Sequence, residues 1–135
     1  MLTWLITLGG FVLIILLGGV LLRGRERRLA RGRKADTFDA FLNQFNTTAE
    51  KAVANLVYHR LQKAVSVEDF PVRPSDDLRV YGLSDDDIGD MIEELLSEGN
   101  YKLPAQEAMR AQPGVISVAD LIRHLTWARE NQPDR

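Results

Sequence analysis

The sequence contains no cysteine, which excludes a disulfide framework, a thiolate-held zinc, an iron–sulfur cluster and a cysteine nucleophile. Histidine is almost as scarce. His59 and His124 are the only two, which leaves little for metal chemistry, and His59 is expected at or near the surface. No stretch alternates apolar and polar residues over strand length, so no β-sheet is expected. A length of 135 residues accommodates one compact domain and excludes a multidomain enzyme with separate cofactor and substrate lobes.

Charge is missing altogether from residues 1–22 and then arrives unevenly. Residues 23–34 carry a net +6, and the rest of the chain carries −8, although the whole chain is only −2. From Met1 to Leu22 every residue is apolar, glycine or threonine. As a helix rising about 1.5 Å per residue, that segment would extend roughly 30 Å, the thickness of a bilayer core. A cleaved secretory signal would need basic residues before the apolar run and a small-residue cleavage site after it, and neither is present. The basic residues Arg23, Arg25, Arg27, Arg28, Arg31, Arg33 and Lys34 all follow the run. The expectation is therefore a single transmembrane helix over 1–22 in a cell inner membrane, with the N-terminus outside and the C-terminal domain cytoplasmic. Trp4 would sit near the outer interface, and Gly9-Gly10 and Gly18-Gly19 offer small surfaces to a neighbouring helix. The basic cluster lacks interleaved aromatics, so membrane lipid headgroups rather than nucleic acid are the expected contact.

Between Ala35 and Asn46, Phe38, Phe41, Leu42 and Phe45 recur at three and four residues and predict a short amphipathic helix, closing a segment over 23–46. Thr47, Thr48 and Glu50 form a capping signal for a helix running to about Val65, with Val53, Leu56, Val57, Leu61 and Ala64 on its apolar face. Residues 66–83 hold Pro71, Pro74 and Gly82 and predict a long loop, anchored by Phe70, Val72, Leu78 and Tyr81. Ser84 and Asp87 then form a second capping box, with Leu83 placed to staple onto Ile88. The apolar stripe Ile88, Met91, Ile92, Leu95 and Leu96 follows, and Gly99 supplies the stop. Pro104 opens a short helix towards Ala111. The last helix starts at Ser117 with Asp120 as its box partner and Ile116 stapling to Leu121, while Leu121, Ile122 and Leu125 face the core and Trp127 extends it. The fold class is thus all-α, with a helical domain over 47–130 made of three main helices plus one short one, and a tail over 131–135.

Seven acids and no base fall between Ser84 and Glu98. Three of them crowd the helix start, where the macrodipole favours them. The run lacks the alternating ligands and closing Glu of a calcium loop, and an exposed acidic face offers no desolvated carboxylate for acid–base work. No metal site and no catalytic residue are expected, so the chain is not read as an enzyme. Asp85, Asp86, Asp87, Asp90, Glu93 and Glu94 instead suit docking to a basic partner surface.

The order of these elements resembles the acyl carrier protein family over residues 48–127. The matching pieces are Pro74-Ser75-Asp76-Asp77-Leu78, Gly82-Leu83-Ser84-Asp85-Asp86-Asp87, Met91-Ile92-Glu93-Glu94-Leu95, Lys102-Leu103-Pro104 and Ile116-Ser117-Val118-Ala119-Asp120-Leu121-Ile122. The resemblance implies an Asp-Ser-Leu motif at the start of the acidic helix that follows the long loop, whose serine carries 4′-phosphopantetheine. This chain departs there: without gaps, Asp85 stands at the serine position and Asp86 at the leucine position, and Asp cannot form the phosphodiester. Ser84, one residue early, is the single nearby hydroxyl. The leading expectation is a membrane-anchored, non-catalytic, acyl-carrier-like accessory subunit that holds no cofactor and docks on a membrane-associated protein complex. Two alternatives stand beside it: a working carrier with phosphopantetheine on Ser84 serving a membrane acyltransferase, and a single-span structural subunit of a bioenergetic or secretion complex.

Overall fold

Three hydroxyl side chains set where the main helices begin. Thr47, Ser84 and Ser117 each sit in extended backbone and accept a bond from the amide three residues on. Glu50, Asp87 and Asp120 reach back to the capping residue's own amide, so each box satisfies donors that would otherwise be unpaired. The computed structural model describes residues 2–104 and 114–132, with side chains in the first helix from Ile15 onward. In order, α1 spans Leu2–Arg31, α2 Phe38–Leu42, α3 Thr48–Ala64, α4 Asp85–Glu98 and α5 Val118–Glu130, with a 3-10 turn at Leu78–Tyr81. All regular structure among the described residues is helical, apart from one isolated antiparallel bridge between Asp77 and Ser117. The expected short helix after Pro104 falls on 105–113, outside the described residues, as do the side chains of Trp4 and Gly9-Gly10.

The expected transmembrane helix over 1–22 is corrected by the structure: among the described residues, no helix is long and apolar enough to cross a membrane. Instead α1 continues without a break through the basic cluster to Arg31. That helix is not uniformly apolar: six of the nine residues from Arg23 to Arg31 are charged.

The core lies where α3, α4 and α5 meet, α5 packing most extensively on α3 and also on α4. Helix α4 buries its whole predicted stripe, Ile88, Met91, Ile92, Leu95 and Leu96. Helix α3 is rotated from its predicted face: Val53, Val57 and Leu61 are buried as expected, but Ala54 and Tyr58 join them while Leu56 and Ala64 are exposed. The cause is α2, which brings Phe38 and Phe41 against Tyr58 with ring centroids 4.7 and 5.2 Å away. In α5, Val118, Leu121, Ile122, Leu125 and Ala128 are buried. Ile116 does not staple; it is 62% exposed. Its carbonyl accepts from the Leu78 amide in the bridge, and the extended backbone there turns alternate side chains to opposite sides, Val115 packing inward and Ile116 outward.

The long loop is ordered by its anchors. Phe70, Val72, Leu78 and Tyr81 are all buried, and Gln62 of α3 bonds both the amide and the carbonyl of Phe70. The left-handed Gly82 closes the 3-10 turn and hands the chain to Ser84. At the other end of α4 the left-handed residue is Asn100, with φ of 58°, rather than Gly99. Gly99 is needed for space: a Cβ there would come within 2.5 Å of the Tyr101 ring, which stacks under Arg129.

Candidate functional site

Every acid predicted for partner binding is on α4, and the buried stripe beneath fixes which way each one points. Asp86, Asp90 and Glu93 stand at i, i+4 and i+7 and so form one exposed row. None of the three belongs to an ion pair among the described residues. The other three predicted acids have intramolecular work. Glu94 accepts two bonds from the Arg60 guanidinium of α3, at 3.0 and 2.6 Å. Asp87 holds the capping box, and its carboxyl is drawn below the usual range by the Ser84 hydroxyl and then by the Ser84 amide. Asp85 lies 3.9 Å from Arg79, with both side chains open to water, so that contact is worth little.

Ser84 is exposed, but its hydroxyl is engaged twice. It donates to Asp87 Oδ2 at 2.5 Å and accepts from the Asp87 amide at 3.2 Å. A shallow groove beside it, lined by Asp77, Arg79, Asp85, Ile88, Val115 and Ile116, has a volume of about 240 Å³. That is below the range of about 300–1,000 Å³ typical of small-molecule pockets. Among the described residues, no three His, Asp or Glu side chains are grouped to hold a metal ion.

The seven basic residues predicted to face lipid divide into two groups. Arg23, Arg25, Arg27, Arg28, Arg31 and Lys34 are exposed. Arg33 is drawn inward, where its guanidinium donates to Asp76 Oδ2 at 2.7 Å and to the Pro71 carbonyl at 3.3 Å. The same Asp76 oxygen accepts from the Tyr81 hydroxyl at 2.6 Å and the Arg73 amide at 3.0 Å. Burial and then the bond to Asp76 push the Tyr81 phenol far above its ordinary value, so it remains a donor. Arg73 in turn pairs with Asp36, and the Ser66 amide donates to Glu26 of α1. This cluster joins α1 to the loop and is a structural site that sequence patterns do not display, because Arg33 and Asp76 lie 43 residues apart.

His124 is buried in α5, and neither ring nitrogen has a partner among the described residues. Burial lowers its pKa, which keeps the imidazole neutral. Comparisons of the chain with protein-family models, with curated proteins and with solved structures find no match.

Proposed function

We propose that this chain is a non-catalytic, acyl-carrier-like accessory module that docks through the outer row of α4 onto a basic surface of a partner protein complex. The observation that carries the reading is Asp86, Asp90 and Glu93 aligned, exposed and outside every ion pair among the described residues. Such a row steers a cationic partner and sets its register more than it adds affinity. The stripe packed beneath holds the row in place, so little ordering cost is left for binding. The double engagement of the Ser84 hydroxyl supports a capping role over a prosthetic-group attachment site.

The test is a paired purification from the native source of the wild-type chain and an Asp90→Lys/Glu93→Lys variant, with the same samples weighed intact by mass spectrometry. The expected result is a stoichiometric partner, with a basic contact surface, that elutes as salt rises and is lost with the variant while the helical signal is unchanged. Equal recovery of the partner by both chains would remove the acidic face from consideration. A 4′-phosphopantetheine adduct on Ser84 would replace this reading with that of a working acyl carrier.

A further inference from the structure

We infer that the exposed stretch of α1 from Ile15 to Arg31 docks on an anionic lipid surface, a role beyond the protein contact assigned to α4. Ile15, Leu16, Leu17, Val20, Leu21 and Leu22 are each between 54 and 72% exposed, which makes a continuous apolar surface that nothing among the described residues covers. Along the same unbroken helix come Arg23, Arg25, Arg27, Arg28 and Arg31, all exposed and none in an ion pair among the described residues.

The occupant is set by the order of these two surfaces. Successive residues on a helix are about 100° apart, so both the apolar turns and the arginines face several directions rather than one stripe. A lipid surface meets both at once, because phosphate headgroups lie above an acyl layer and cationic side chains reach the first while apolar ones enter the second. A second copy of this helix alongside in parallel would set five arginines against five more. Among the described residues no helix is long and apolar enough to cross a membrane, and the contact proposed is one with the lipid surface. Arg33 takes no part in it. Bound to Asp76 and the Pro71 carbonyl, and aided by the Glu26–Ser66 contact, it fixes α1 to the bundle, so a docked helix would also set the bundle's orientation over the lipid.

Partition of the full-length chain into vesicles tests this, with phosphatidylcholine alone compared against phosphatidylcholine mixed with phosphatidylserine. Each arginine near an anionic surface is worth about fivefold in partitioning at low salt. The expected result is strong preference for the anionic vesicles, reduced about twentyfold or more by Arg25→Gln/Arg28→Gln and retained by Arg25→Lys/Arg28→Lys, with all three chains equally helical. Equal partition into both vesicle types would overturn the assignment to anionic lipid. So would an unchanged partition of the glutamine variant, or binding to duplex DNA without binding to either vesicle.

Discussion

Two side chains show how a single group is assigned its role by what surrounds it. Ser84 could in principle present a nucleophilic hydroxyl, but its two bonds with Asp87 make it a cap. Ser84→Ala is expected to cost about 1 kcal/mol in urea unfolding, whereas Ser84→Asp, another good capping residue, restores most of it. A lipid-linked activity lost equally in both variants, with stability unchanged in either, would mean that the hydroxyl itself matters. His124 poses the opposite problem, a polar ring whose two nitrogens are buried and have no partner among the described residues. Its folded pKa lies below the ordinary 6.5, so the folded state binds fewer protons than the unfolded chain. Its neutral burial is therefore tolerated above about pH 6.5 and becomes destabilising as pH falls from there towards the folded value. His124→Leu should be neutral or stabilising by about 1 kcal/mol at pH 7, because an unpaired polar group is replaced by an apolar one of similar size. The same variant should flatten the pH dependence of the melting temperature below pH 6.5. An unchanged slope would place the titrating group elsewhere.

Whole elements were legible in the chain where the deciding interactions are local, and obscure where they are distant. The boxes Thr47/Glu50, Ser84/Asp87 and Ser117/Asp120 span three residues each, so residue type and spacing suffice to place the starts of α3, α4 and α5. The stripe of α4 is equally plain because that helix buries one side only. The face of α3 is not, since the ring of Tyr58 is drawn in by phenylalanines of α2 that a periodic pattern cannot position. Ile116 misleads for a related reason: a staple is a helix-start motif, but the backbone there is committed to the bridge with the loop. Most hidden of all is the hub at Asp76, where one carboxylate oxygen gathers Arg33, Arg73 and Tyr81. Asp-Asp in a loop resembles any solvated turn, yet Asp76 is 6% exposed. Asp76→Ala would strand both the Arg33 guanidinium and the Tyr81 hydroxyl, and is expected to destabilise the chain by about 3 kcal/mol or more. Arg33→Ala should cost less, because Asp76 keeps two of its donors. Denaturant unfolding of the two variants gives the ranking directly, and the reverse order would show that Asp76 is not the centre of the cluster.

At the scale of the molecule, charge is segregated along the chain, basic on α1 and acidic on α4, while the packing joins the two regions into one body. Among the described residues, every apolar side chain of the buried core lies at Phe41 or beyond, which would permit α1 to be an independent appendage. The contacts at its C-terminal end argue otherwise. Leu29 and Ala30 pack against the core, Glu26 accepts from the Ser66 amide, and Arg33 and Asp36 pair with Asp76 and Arg73. Of the described side chains, Ile15 to Leu22 make none of these contacts, and a chain beginning at Arg23 is expected to melt within a few degrees of the whole chain. A chain beginning at Thr37 loses all of them. Removing the helix admits water to Asp76 and softens the penalty, leaving about 2 kcal/mol, or a fall on the order of 10 °C in melting temperature for a domain of this size. Equal melting of the two truncated chains would show that the ion pairs add nothing to the bundle and that α1 is a tether. The expected separation would instead mean that whatever surface α1 rests on also fixes the direction in which Asp86, Asp90 and Glu93 are presented.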